Sequence, residues 1–424
     1  MQQLFLKVMI LTITTLSTTH LLAQNRINTI RADAPALAAY GTQTIGVRTV
    51  QVVNPNQIDM LQVDPKAPKS EAMPRYNRPI TLEVWYPAAQ GAAGSTTLRA
   101  LVRDGKTEVG LQGLAVRDAA PAAGAAFPLV IISHGFPGNR FLLSPIAENI
   151  ASKGYVVASI DHTDSTYDAL GPRGFASTLV NRPLDQVFVL NAMARLAKES
   201  TSFLYGQVDT DRTAVIGYSM GGYGAVITAG AGVTQKAVDS TEAPVIVPHG
   251  ALGVHLAGSA SHLALFDKRI KTVVAIAPWG HNRGVFDAKS LAGIKVPMLM
   301  MAGSVDDVSV YDNIRAIWQG ASSVDRTLLT FENANHNAAA PMPVPLEAQS
   351  VDPKTGATMA NHYIDAVWDT VRMNNIAEHY ITAWLGKYLK TDAAMDAYFD
   401  PAAWKGFPPR TAKGLKLEKL AAGR

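Results

Sequence analysis

A serine between two glycines, an aspartate and a histidine follow one another in this chain in the order that nucleophilic acyl transfer on a parallel sheet requires. Ser219 stands in Gly217-Tyr218-Ser219-Met220-Gly221, directly after the apolar run Thr213 to Ile216. Small residues two before and two after the serine permit a sharp strand-to-helix turn that lifts its hydroxyl out of a sheet. A serine hydroxyl is a weak nucleophile at neutral pH and needs a base, itself held in one tautomer by an acid. The run Met298 to Ala302 leads into Gly303-Ser304-Val305-Asp306-Asp307. Asp306 is the expected acid, because the apolar Val308 two positions on suits a loop turning back into the fold; Asp307 is the alternative, read as its solvated neighbour. Of the ten histidines, His336 alone combines a place after the last core strand, at Asn333-Ala334-Asn335-His336, with a long following loop.

Acyl transfer also needs two preorganised N–H donors where negative charge develops, and losing one typically costs about 3 to 4 kcal/mol of barrier stabilisation. The backbone N–H of Met220, next after the serine, is one candidate. The other is the N–H of Phe136 in His134-Gly135-Phe136-Pro137-Gly138, since Pro137 has no N–H to give. His134 is expected to make a structural hydrogen bond, and Asp161-His162 to support a loop. His281, Met342 and Trp368 could line a pocket, though lone residues of these types more often pack. Asp306, Asp307 and Asp312 lack the oxygen-rich spacing of a calcium loop, so no metal is expected.

These residues need a frame. Arg48 to Val53 and Ile80, Leu82, Val84, Tyr86 alternate with period two, as half-exposed antiparallel strands do. Ala119 to Ala126 reads as a flexible approach. From Leu129 to Ser133 onward, continuous apolar runs alternate with helical spacing: strands at Tyr155 to Ile160, Thr213 to Ile216, Thr272 to Ala277, Pro297 to Ala302 and Thr327 to Phe331, helices near Ile146, Asp185 to Leu196, Met220 and Asn313 to Trp318. A terminal helix carries Met373, Ile376, Ala377, Tyr380 and Trp384 on one face. The rhythm predicts an α/β fold, a mostly parallel, doubly wound sheet with antiparallel strands at its N-terminal side. Insertions 231–271 and 337–365 break it near strand C-terminal ends, where α/β proteins place ligands, and read as lids or pocket walls.

With these motifs in place the chain resembles the α/β-hydrolase superfamily over about residues 80–390. Pro128 to Gly135, Gly154-Tyr155-Val156-Val157-Ala158 and Trp85-Tyr86-Pro87 resemble the bacterial branch related to platelet-activating-factor acetylhydrolases and dienelactone hydrolases. Gly217 to Gly222 together with Ala277-Pro278-Trp279 is similar to cutinase-like polyester hydrolases. The resemblance implies ester hydrolysis by Ser219, and an aromatic Trp279 lining the acyl cleft. It departs from dienelactone hydrolases proper, which use cysteine where Ser219 stands, and from many cutinases in the two insertions.

Composition agrees with one large core: 48% of the 424 residues are hydrophobic and 17% charged. With no cysteine, disulfides, thiolate chemistry and cysteine-bound metals are excluded. A net charge of +4, scattered except near the C-terminus, is too dilute for a nucleic-acid footprint. Residues 1–23, with Lys7 ahead of an apolar run and Ala23 at a plausible cleavage point, read as a signal peptide, leaving no stable membrane span and a periplasmic or secreted product. The organisation expected is a leader at 1–23, a catalytic domain at 24–390 and a solvated tail at 391–424. The expected activity is hydrolysis of a small or medium ester through an acyl-enzyme, with a small-molecule ester as partner and no cofactor. The alternatives are a serine peptidase or amidase, or a noncatalytic binding protein built on the same fold.

Overall fold

A computed structural model describes residues 25–66, 72–124, 126–351, 356 and 358–423; the expected leader lies outside the described residues. The described residues form twelve strands: β1 Ile45–Ile58, β2 Arg75–Pro87, β3 Thr97–Leu101, β4 Glu108–Gln112, β5 Val116–Arg117, β6 Phe127–Ser133, β7 Val156–Asp161, β8 Val208–Tyr218, β9 Ile270–Ile276, β10 Met298–Gly303, β11 Arg326–Phe331 and β12 Leu415–Leu420. Among the described residues eight α-helices join them: α1 Ser144–Ala151, α2 Gly174–Leu196, α3 Met220–Thr228, α4 Gln235–Val238, α5 Ala260–Leu265, α6 Ala288–Leu291, α7 Tyr311–Gly320 and α8 Thr370–Leu389. None of the described helices is long and apolar enough to cross a membrane.

Ten strands form one sheet in the order β12-β11-β10-β9-β8-β6-β7-β2-β1-β5, and β3 pairs with β4 separately. The run from β7 to β11 is parallel. Antiparallel β2 extends it on one side and antiparallel β12 on the other. The composition of each strand follows from its place. Helices cover both faces of the parallel strands, so β10 is buried along its whole length and reads as an unbroken apolar run. β2 alternates over its first half and is buried on both faces over its second, where it pairs with β7.

Of the segment 391–424, expected as a solvated tail, the described residues 391–423 are instead part of the domain. β12 closes the sheet against β11 in full register from Arg326–Leu420 to Phe331–Leu415. Leu415 and Leu417 are buried while Lys416 and Lys419 point outward, so the lysines that suggested a tail are the solvent face of an edge strand. Arg315 of α7 holds Glu418 at 2.6 Å.

Two helices are more deeply buried than their apolar periodicity indicates. α8 buries the expected Met373, Ile376, Ala377, Tyr380 and Trp384, but also Asn374, Asn375, Glu378 and His379. The N-terminal segment lies across that second face: Arg31 N–H donates to Asn375 Oδ1 (3.0 Å) and Leu37 N–H to His379 Nδ1 (3.1 Å). α2 begins at Gly174 rather than near Asp185 and runs through Pro183. Its first half is polar yet buried, because it carries the groups that brace the loops described next.

Candidate active site

β8 ends at Tyr218, and α3 begins two residues later. Ser219, between them, has φ 54° and ψ −113°, a conformation that side-chain-bearing residues rarely adopt. The glycines make this turn sterically feasible. A Cβ on Gly217 would lie 2.1 Å from the carbonyl oxygen of Gly221, and one on Gly221 would lie 1.9 Å from that of Ser133. Ser219 is anchored by its N–H to Ile276 O (2.9 Å) and accepts from the Trp279 N–H (3.3 Å). The serine is thus presented at the C-terminal edge of the sheet by backbone constraints on both sides.

His336 and Asp306 converge on it from the loops after β11 and β10. His336 Nε2 lies 2.9 Å from Ser219 Oγ, and Nδ1 lies 2.9 Å from Asp306 Oδ2. The Asp306 side chain is fully buried, and its other oxygen accepts from the N–H groups of Val308 (2.9 Å) and Ser309 (2.8 Å). Asp307 instead faces the cleft in front of Ser219 and has no bond to the histidine. The structure therefore brings together Ser219, His336 and Asp306, and leaves Asp307 beside them.

The Phe136 and Met220 N–H groups have no protein acceptor among the described residues. Met220 opens α3, so its N–H is one of those a helix start leaves free. The loop carrying Phe136 is braced from behind. Arg182 of α2, wholly buried, donates to Gly135 O (2.9 Å), to His134 O and to Ser165 Oγ. His134 donates from Nδ1 to Gly135 O (2.6 Å) and accepts the His162 N–H at Nε2 (3.3 Å). Burial, with the Arg182 charge nearby, holds the His134 pKa well below the ordinary range and keeps it neutral.

His162 spans Ser133 Oγ (2.8 Å) and Asp185 Oδ2 (2.9 Å), and burial pushes it down to about 3. Burial alone would raise the Asp185 carboxyl; the bidentate Arg78 guanidinium, at 2.9 Å to each oxygen, overrides that and holds it at about 2. Arg78 also reaches Asp164 at 3.0 Å. Asp161 and His162 are thus loop supports: Asp161 accepts from Arg140 rather than facing Ser219.

The cleft before Ser219 measures about 480 Å³. Insertion 337–365 supplies one wall through Asn337, Asn361, His362 and Ile364. It is tied to the histidine loop at several points. Asn335 Oδ1 accepts from both the His336 N–H (2.6 Å) and the Asp307 N–H (3.1 Å), and the Asn335 N–H donates to Asp365 Oδ2 (2.7 Å). Asn337 accepts from Tyr218 OH (3.0 Å) and donates to Asn361 O and Ile364 O. His362 lies 2.7 Å from Tyr167 OH, and burial pushes its pKa down to about 3. Asn335, Asn337, Asp365 and Arg182 were not anticipated from sequence. Asn335 and Asn337 had one usable signal, their adjacency to His336.

One expected cleft residue is corrected. Trp279 does not line this cleft: its buried ring packs edge-on against Phe175 (5.3 Å), which packs against Phe136 (5.1 Å), so it stands two rings behind the opening. His281, Met342 and Trp368 have structural roles, as lone residues of these types more often do: His281 bonds to Asn313, Met342 is buried in the core, and Trp368 packs on Phe331 with its Nε1–H on Glu332 O. Insertion 231–271, expected as a lid or pocket wall, supplies no lining residue of this cleft.

Residues 118–245 match the family of PET hydrolase-like proteins. That segment holds the Phe136 loop and Ser219, but neither Asp306 nor His336. Cutinase est1 of Thermobifida alba is 24% identical over 220 residues, 51% of this chain and 56% of that protein. Cutinase cut1 of Thermobifida fusca is 24% identical over 51% of this chain and 52% of its own length. The chain spans about half the length of these relatives. A ferulic acid esterase from Streptomyces cinnamoneus superposes with a TM-score of 0.55 at 19% identity, covering 91% of this chain and 99% of that one. The sheet order, the turn at Ser219 and these similarities agree: the chain has the α/β-hydrolase fold, with its sequence likeness directed toward the cutinases.

Proposed function

We propose that this protein is a serine hydrolase of carboxylic esters. The observation that carries the reading is the chain of two 2.9 Å hydrogen bonds from Ser219 Oγ through His336 to a buried Asp306. Ser219 attacks the ester carbonyl while His336 Nε2 takes its proton, and the alcohol leaves with that proton to give an acyl-enzyme. Water then attacks the acyl carbon, with His336 again accepting and returning a proton. The free N–H groups of Phe136 and Met220 are the donors for the oxyanion in both steps. Asp306 acts through the imidazole, fixing Nδ1 as the protonated nitrogen so that Nε2 is free to accept. Arg182 acts further back, by holding the loop that carries Phe136. The similarity to cutinases supports the ester rather than the amide as substrate.

We further read residues 1–23 as a leader that directs the protein to the periplasm or the medium, so that the exported chain would begin at Gln24. The experiment for the activity is hydrolysis of p-nitrophenyl acetate by the wild-type chain and by Ser219→Ala, alongside labelling by a fluorophosphonate. Loss of both turnover and labelling in a folded variant is expected; near-wild-type turnover without Ser219 would overturn the assignment.

A further inference from the structure

A second cleft, of about 630 Å³, lies on the far side of the aromatic wall that bounds the Ser219 cleft. The two are linked ring to ring. Phe136 lines the first, Phe175 lines the second, and their ring centroids are 5.1 Å apart in an edge-to-face contact. Trp279 packs against the same Phe175 ring from behind at 5.3 Å. The wall is therefore half-buried Phe136 and Phe175 on a fixed tryptophan backing, an aromatic surface shared by both clefts.

Much of the lining of the second cleft is apolar. Phe175 and Ala176 come from the start of α2, while Val238, Pro244, Ile246 and Pro248 come from insertion 231–271. Its three ionisable side chains already have partners. Arg173 donates to Val63 O, His249 contacts Asp64 O at 2.5 Å, and Asp239 accepts from Gln235 at 2.8 Å. Ile246 is 49% exposed, a large apolar side chain held in water at the cleft edge. Its volume falls within the range of small-molecule sites, and its prolines restrict the backbone that forms it.

We propose that this cleft is a second substrate subsite, taking the apolar, ring-bearing arm of an extended ester whose carbonyl sits at Ser219. The inference rests on the ester-hydrolase reading and adds the class of substrate: an ester with an aryl-alkyl arm long enough to cross Phe136 and Phe175. An aromatic arm gains edge-to-face contacts along that wall as well as burial at its end. Insertion 231–271, which supplies no lining residue of the Ser219 cleft, acquires a role here as the outer wall of the subsite.

The test compares p-nitrophenyl acetate with two arm-bearing esters, p-nitrophenyl phenylhexanoate and phenylhexyl acetate, which place the arm on the acyl and on the alcohol side. The chain is assayed as wild type, as Ile246→Asp, which puts a charge into the cleft, and as Thr241→Trp, which fills it from an exposed position. The readout is the ratio of kcat/KM for each long ester to that for acetate on the same preparation, so misfolding or damage at Ser219 cancels. A fall of about tenfold in that ratio for at least one long ester, carried by KM, is expected. An unchanged ratio for both long esters in both variants overturns the subsite while leaving ester hydrolysis standing. Absence of turnover on all three esters by the wild-type chain overturns the ester reading and the subsite with it.

Discussion

Replacing Asp306 by asparagine tests the site most sharply, because the surrounding hydrogen bonds dictate how the amide must sit. In the wild-type chain Oδ1 accepts from the N–H groups of Val308 and Ser309, and Oδ2 faces His336 Nδ1. An asparagine keeps its oxygen on the two N–H donors. The reverse orientation would set its own NH₂ against them and forfeit two buried hydrogen bonds, at about 1 to 3 kcal/mol each. Its NH₂ therefore points at His336 and requires Nδ1 to accept, which leaves the proton on Nε2, facing Ser219 Oγ at 2.9 Å. A protonated Nε2 cannot take the serine proton. The expected loss in kcat is about 10⁴-fold, near 5.4 kcal/mol of barrier, with little change in stability since the amide fills the same space. Steady-state hydrolysis of p-nitrophenyl acetate measures it, with Asp307→Asn as the companion. Asp307 has no bond to the imidazole, so its amide variant should stay within about a factor of ten of wild type, less than 1.4 kcal/mol. Asp306→Asn within tenfold of wild type, or an equal loss from Asp307→Asn, would refute the reasoning.

Three further outcomes follow from the packing. Arg78→Met leaves Asp185 and Asp164 without their buried cation, and should cost about 3 to 5 kcal/mol in chemical denaturation; a loss below about 1 kcal/mol would show that the pair is not energetically coupled to the fold. Truncation after Gly414 removes β12, exposing the edge of β11 and the sites of Leu415 and Leu417; a loss of about 3 to 6 kcal/mol and a tendency to associate are expected, whereas an unchanged Tm would mean the segment is dispensable. Burial raises the Glu378 carboxyl to about 8 against the opposing pull of Lys153. Because its folded value lies above its ordinary 4.5, the stability it lends is complete below 4.5 and is lost as pH rises through 8. Glu378→Gln, which stays neutral, should thus gain stability relative to wild type progressively from pH 5 to pH 8; a difference independent of pH would count against the shift.

The parallel core was legible in the sequence because each strand between helical layers is apolar on both faces, as β10 is throughout, and such runs need no partner to be recognised. β12 was not, because an edge strand shows water a polar face: Leu415 and Leu417 alternate with Lys416 and Glu418 in a strand that, with its lysines, reads as a basic tail. The first half of α2 was missed for a related reason. Ser177, Thr178, Asn181 and Arg182 are buried polar residues in a helix that also contains Pro183, and local propensity argues against a helix there. What overrides it is tertiary: Ser177 bonds Asp164 at 2.8 Å, and Arg182 holds the carbonyls of the Phe136 loop.

The same contrast separates the reactive residues from those that hold them. Ser219, Asp306 and His336 each lie on the turn or loop that follows a buried strand, and the glycines at 217 and 221 are imposed by contacts of 2.1 and 1.9 Å that any Cβ would make, so the reactive positions carry a local signature. Their supports do not. Arg182 reaches Gly135 across 47 positions, Asn335 is fixed by Asp365 across 30, and Arg78 meets Asp185 across 107. Each is a polar side chain whose partner is set by the closed fold, so spacing in the chain says nothing of it. Trp279 illustrates the consequence. Its place after β9 is local and was read correctly, but whether it meets substrate depends on Phe175, which arrives from α2 and takes the position in front of it. The identity of the groups that do chemistry was therefore readable from the chain, while the shape of the space in front of them had to come from the packed structure.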